Sequence, residues 1–305
     1  MTGDNIIDWP IGFTLIDAEI ECRPIDVKML AKAMLPDSAA ILGVTDAGVW
    51  IRSVADRQGT HAHCPAEAFP EFECSTAGAV AVYPSQVATL QSATLSTDPG
   101  HVSVSLHGER MTMEANRFGG TVPTVIPGRD AGWHQKIADL DFRSIHDRHT
   151  ADARVVDSQF EDFLDWEADY PETEITLTPD GASIMTAFGD AHWPWAENAG
   201  SGEATYRGRE FLKVFDQFYP VESTPRFAWG DDETVAMIFR RDGWLTIGYV
   251  TALRESSSDT SWGQGESATV TRRCPECGSR LERNSSTGNW KCPYPMCGYR
   301  SITLE

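Results

Sequence analysis

Lysine is scarce in this chain of 305 residues: five (Lys28, Lys32, Lys136, Lys213 and Lys291) stand beside 20 arginines and 45 acidic residues, for a net charge of −20. Abundant carboxylates with little lysine suit a salt-rich cytoplasm, where a heavily charged, hydrated surface stays soluble despite screening. An acidic protein from ordinary conditions would show the same balance. No apolar run reaches the 18 or more residues of a membrane-spanning helix, and the opening MTGDNIIDWP lacks the basic and apolar regions of a signal peptide. A cytoplasmic protein with no membrane partner is expected. Cysteines number seven, four of them between 274 and 297, which favours a metal site plus three free thiols over a disulfide framework.

Signatures of catalysis are missing as well. The sequence has no Gly-rich phosphate loop, no nucleophile elbow and no paired-carboxylate pattern. The strongest enzymatic feature is His61-x-His63-Cys64, since two imidazoles on one strand face can begin a catalytic metal site. Such a site needs further ligands, and His101, His107, His134, His146, His149 and His192 are scattered without a pattern. Both strand histidines are expected to face solvent, and the protein is not expected to be an enzyme.

What is present is a repeated order of elements. Residues 10–22 alternate as a strand, Arg23-Pro24 opens a helix, and Val27, Leu30, Ala31 and Met34 make its apolar face. Strands are expected at 39–45, 48–54, 60–64 and 77–82, then an uncharged helix from Pro84 to Leu95 with Val87 and Leu90 inward. A hairpin over 101–107 and 110–116 turns at Gly108-Glu109, and 122–125 closes the half. Residues 126–136 carry two Gly and a Pro without periodicity and read as a connector. The order then repeats: strands at 142–145 and 153–156, an acidic helix over 157–170, strands at 173–178 and 182–188 around Pro179-Asp180-Gly181, a helix from Arg207 to Tyr219 burying Phe211, Phe215 and Phe218, and strands near 224–229, 233–240 and 243–251.

Within this order, Asp46, Ala47, Gly48, Val49, Ile51 and Arg52, followed by Pro65, Ala66, Glu67, Ala68 and Phe69, resemble the first domain of a PCNA-type DNA sliding clamp of the archaeal and eukaryotic kind. Asp139-Leu140-Asp141-Phe142 and the helix carrying Phe211-Leu212-Lys213 with Phe218-Tyr219-Pro220 resemble second-domain motifs of that family. The resemblance implies an α+β fold of two tandem clamp domains, antiparallel sheets with two helices each. The first spans 1–127, a connector 128–140 and the second 141–255.

A Ser/Gly/Thr-rich stretch over 256–272 reads as a linker to a small unit at 273–301. There Cys274-x2-Cys277 and Cys292-x4-Cys297, fourteen residues apart, offer four thiolates for a tetrahedral structural zinc. Thirty residues hold too few apolar side chains to fold without the metal. The pattern resembles a zinc ribbon, with x4 in the second pair where x2 is commoner. Arg272, Arg273, Arg280, Arg283, Lys291 and Arg300 make residues 271–305 net +3, against −23 for the body. A basic appendage suits nucleic acid or an acidic partner surface, or is simply solvated.

The family resemblance implies a homotrimeric ring around duplex DNA, held by non-specific phosphate contacts, that tethers DNA polymerase and other clamp-binding proteins after a clamp loader has placed it. Carried onto this chain, Lys28, Lys32, Arg207, Arg209 and Lys213 would face DNA. Val54, Trp133, Ile137, Thr251, Ala252 and Leu253 would line the partner pocket, where the family's usual Ala-Pro is missing. Ring-forming sheet edges are expected at 110–114 and 183–186. The acidic helix over 157–170 departs from a DNA-facing surface and leaves a second possibility, a clamp-derived zinc-ribbon DNA-binding or regulatory module that does not encircle DNA.

Overall fold

The computed structural model describes residues 14–35, 38–55, 57–96, 99–116, 118–124, 142–154, 174–186, 189–218 and 225–253, together with three two-residue strands further on. β1 (Ile16–Cys22) buries Ile16, Ala18, Ile20 and Cys22 and turns Asp17 and Glu19 outward, the period-2 pattern of a strand with one wet face. Pro24 opens α1 (Pro24–Lys32), where its fixed φ suits a first helical turn. β2 (Ala39–Thr45), β3 (Gly48–Val54) and β4 (Gln58–Pro65) follow as a meander, and a 3-10 turn at Ala66–Ala68 makes the corner. β5 (Glu71–Thr76) and β6 (Gly78–Val82) lead to α2 (Pro84–Leu95). β7 (Val102–Gly108), β8 (Arg110–Ala115) and β9 (Phe118–Pro123) complete the first half.

The second half begins with α3 (Phe142–His146) and β10 (Ala151–Arg154), then runs through β11 (Glu174–Thr178), β12 (Gly181–Thr186), β13 (Gly189–Pro194), β14 (Glu197–Gly200) and β15 (Ala204–Arg207). After these come α4 (Gly208–Phe218), β16 (Arg226–Trp229), β17 (Val235–Arg241) and β18 (Trp244–Val250). β19 (Glu282–Arg283), β20 (Trp290–Lys291) and β21 (Arg300–Ser301) form a small antiparallel sheet in that order.

Among the described residues, three sheets build the body. A nine-stranded sheet, β14-β10-β16-β17-β18-β4-β3-β2-β6, crosses from one half to the other where β18 pairs antiparallel with β4 from Leu245↔His63 to Val250↔Gln58. The first half adds a five-stranded sheet, β5-β1-β7-β8-β9, and the second a four-stranded one, β13-β12-β11-β15. A continuous apolar core runs through both halves, from Val104 and Met111 to Phe215, Phe227 and Phe239.

Several expectations are corrected. Phe142 to Ile145 is helical, not extended; with two apolar residues three apart, one helical turn sends both Phe142 and Ile145 inward. β10 lies two residues earlier than the 153–156 expected, and β5, β13, β14 and most of β15 were not anticipated. Position changes the histidines: β4 sits mid-sheet with both faces covered, so His61 is fully buried and accepts a hydrogen bond from Arg52 Nε at Nδ1, 3.1 Å away. His63 is half-buried against Trp50, ring centroids 4.4 Å apart, and burial lowers its pKa. Neither is a solvated strand histidine. The expected ring edges are displaced too: β8 and β12 are interior strands, and the sheets end one strand further on, at β9 and β13. Cys22, Cys64 and Cys74 are free thiols. The connector, the helix expected over 157–170 and the four clustered cysteines lie outside the described residues.

Candidate nucleic-acid interface

Three helices form one layer. α1 buries Val27, Met29, Leu30 and Ala31 and packs along α2, which buries Val87 and Leu90. α4 buries Phe211, Leu212, Val214, Phe215 and Phe218 against β18 and β15. The layer is continuous because Gln217 Nε2 on α4 donates to the Lys32 carbonyl at the end of α1.

Among the described side chains, the charged ones that these helices expose are Lys28, Lys32, Arg209 and Lys213. All four are basic in a chain of net charge −20. They are the residues left over once the apolar positions at i, i+3 and i+4 turn inward. Asp26, the one acidic residue of α1, is fully buried. Arg207 differs from expectation: it ends β15 rather than starting α4, and its Nη1 lies 3.7 Å from Glu210 Oε1, so its charge is partly offset. α2 exposes Ser85, Gln86, Ala88, Thr89 and Ser92, polar or small and uncharged. The layer therefore runs α2–α1–α4, with positive charge on α1 and α4 beside the neutral surface of α2, an arrangement that can take a polyanion without reading bases.

Of the expected partner pocket, the structure brings together Val54, Thr251, Ala252 and Leu253. Val54 pairs with Gly59 across the β3–β4 turn, and Thr251 N–H donates to the Arg57 carbonyl in that turn at 3.1 Å. Leu253 N–H donates to the Thr205 carbonyl on β15 at 2.7 Å. Val54 and Ala252 are buried, while Thr251 and Leu253 are half-buried. Trp133 and Ile137 lie outside the described residues, as do Arg272, Arg273 and Arg280. Arg283, Lys291 and Arg300 fall on β19, β20 and β21, where Lys291 is in register with Arg300 and Arg283 with Trp290.

The residues that sequence reasoning missed are those joining the halves: Arg23, Asp26, Gln58 and Trp244. Their partners are up to 219 positions away, a separation that no local pattern reveals. Edge strand β13 did carry a signal, since Ala191 and Trp193 alternate with Asp190 and His192.

No protein-family model and no curated protein matches the chain. Solved structures do. The chain superposes on A. fulgidus PCNA, solved with the C-terminal region of FEN-1 bound, with a TM-score of 0.62 at 11% identity over 79% of this chain and 100% of that one. PCNA from Thermococcus kodakaraensis gives 0.58 at 10% identity, covering 77% and 100% of the two chains. The PCNA2-PCNA3 complex from Sulfolobus tokodaii gives 0.58 at 15%, covering 77% and 98%. Identities this low speak to architecture alone, and on that architecture the body of this chain has the fold of a PCNA-type clamp.

Proposed function

We propose that the protein is a DNA sliding clamp, a processivity factor whose copies close head to tail into a homotrimeric ring around duplex DNA and tether replication or repair enzymes. The observation that carries this reading is a pair of sheet edges left open among the described residues. β9 ends a five-stranded sheet in one half, and β13 ends a four-stranded sheet in the other. Both are six residues long. Joining β9 of one copy to β13 of the next makes a nine-stranded sheet, the same size as the one that already joins the two halves within the chain. Unpaired edges invite such pairing, and a head-to-tail interface that closes gives a ring. Alternating inter-half and inter-copy sheets in three copies make six equivalent segments. The helical layer with Lys28, Lys32, Arg209 and Lys213 then faces the DNA, and a clamp loader and DNA polymerase are the expected partners, acting through the surface around Thr251–Leu253.

The C-terminal unit is proposed to be a zinc ribbon. Its three short strands bracket the cysteines in the required order: Cys274 and Cys277 precede β19, and Cys292 and Cys297 fall between β20 and β21. Four thiolates spaced as two close pairs in the sequence suit a structural zinc. The uncharged face of α2 favours the second reading, a clamp-derived module that binds DNA or partners without encircling anything.

Light scattering in multimolar KCl, with zinc assayed on the same sample, tests both. A mass near three times 33.6 kDa with one zinc per chain is expected. A monomer at all accessible concentrations overturns the ring and leaves the non-encircling module; a zinc-free trimer overturns only the ribbon.

A further inference from the structure

The two halves are held by more than the β4–β18 seam. Asp26, in the first turn of α1, is 0% exposed and is the hub of a polar cluster that reaches the other half. Its carboxylate accepts from Arg23 N–H at 2.8 Å, as the third residue of a capping box does, and from Arg23 Nε and Nη2 at 2.9 and 2.8 Å. It also accepts from Trp244 Nε1 on β18 at 3.0 Å. Arg23 Nη2 donates in addition to the carbonyl of Asp242, in the β17–β18 turn, at 2.7 Å.

That turn is shaped to seat on the first half. Asp242 and Gly243 take positive φ of 50° and 91°. A Cβ on Gly243 would lie 2.6 Å from Ala68 Cβ, so only glycine lets the turn come down on the Pro65–Phe69 corner. Beside it Phe69 meets Trp244 edge to face, with centroids 6.1 Å apart. The turn is thus gripped by the start of α1 and by the corner after β4. At the other end of the seam, Gln58 Nε2 donates to the Glu210 carbonyl at 2.7 Å.

We propose that the Asp26–Arg23–Trp244 cluster is a positioning clasp for ring closure. It fixes the angle between the halves, and with it the relative orientation of β9 and β13, the two edges that must meet their counterparts on neighbouring copies. This rests on the ring reading above. A three-copy ring tolerates little angular error, because each junction repeats it and the last edge must still meet the first. Hydrogen bonds to a buried carboxylate from a guanidinium fork and an indole N–H are directional and short, whereas apolar contact alone leaves the hinge freer.

The test uses the full chain and compares Arg23→Ala and Trp244→Phe with the wild type. Arg23 is partly exposed, so its truncation removes the guanidinium fork without opening a cavity in the apolar core, while Asp26 keeps its backbone and indole donors. Trp244→Phe keeps an aromatic ring against Phe69 but removes the indole N–H and part of a buried ring, so its fold is checked first. Trimer dissociation is measured by sedimentation well below the unfolding temperature, with thermal unfolding followed separately. Each variant is expected to remain folded while its trimer dissociates at a protein concentration at least tenfold higher. A trimeric wild type with variants unchanged within twofold overturns the clasp and leaves the ring. Loss of trimer only in proportion to unfolded chain also overturns it. A wild type that is itself monomeric overturns the ring reading and the clasp with it.

Discussion

His146 stands at the junction of the halves with its Nε2 3.0 Å from Tyr249 Oη and its ring 5.1 Å from that of His149. Burial, reinforced by His149, lowers its pKa to about 4; burial also lowers that of His149 and pushes the Tyr249 hydroxyl upward. A histidine whose folded pKa lies below its unfolded value of about 6.5 is protonated first in the unfolded chain. Its neutral form therefore supports folding above pH 6.5, and that support drains away as pH falls towards 4. The shift corresponds to about 3 kcal/mol at 1.36 kcal/mol per pH unit. His146→Gln keeps a polar partner for Tyr249 and removes the proton site, so urea unfolding of the variant is expected to depend less on pH between 6.5 and 4 by about that amount. An identical pH profile would refute it. The sequence could not announce this cluster, nor that His61 would be buried under Phe142, with centroids 5.9 Å apart, and Arg52 held 4.7 Å over the same ring. Alternation says which residues share a strand face; it does not say whether another element will cover that face.

At the scale of elements, helices were legible where an apolar face recurs at i, i+3 and i+4, because that spacing also decides what packs. α2 has the bounds read from sequence, and α4 differs only at its ends. Short strands beside Gly and Asp, such as β13 and β14, were hidden because the same residues also make turns. α3 was misread because four residues with apolar ends satisfy a strand as well as a helical turn. The candidate DNA-facing residues on α1 and α4 were likewise readable as the polar remainder of those faces, while the true edge strands depended on a sheet order set by distant pairings. One packing detail carries a prediction. α4 lies on β18 where Gly248 leaves room: a Cβ there would sit 2.2 Å from Val214 Cγ1 and 3.8 Å from Phe218. Gly248→Ala should therefore destabilise by about 1–3 kcal/mol through overpacking. Val214→Ala in the same chain should recover part of the loss, a coupling that denaturant unfolding of the single and double variants would measure.

Over the whole molecule, salt is expected to act on folding and on DNA binding with opposite signs. The outer face of the five-stranded sheet places like charges directly opposite one another, Glu19↔Glu73 and Glu21↔Glu71, beside Asp17. Among the described residues, Ser103 and Ser105 donate to Glu21 and Glu19, and His107 lies 2.6 Å from both Asp17 and Glu19, where donating to those carboxylates raises its pKa. Directly opposed like charges cost up to about 1 kcal/mol per pair at low salt, and screening shortens their range from about 10 Å at 0.1 M to about 3 Å at 1 M. The thermal midpoint should thus climb as KCl rises from 0.1 to 2 M. Glu73→Lys, which turns one repulsive pair into an attractive one, should raise the low-salt midpoint and flatten the climb; an unchanged climb would place the salt effect elsewhere. The proposed binding of duplex DNA through Lys28, Lys32, Arg209 and Lys213 would run the other way, because each neutralised phosphate releases counterions and the advantage of that release fades in salt. Lys28→Ala should weaken binding to all sequences alike and reduce the slope of log affinity against log salt by about 1. On the proposed function, salt that favours the fold loosens the contact, and an enclosing ring would reconcile the two, since it would stay on DNA by linkage and need contacts only weak enough to slide.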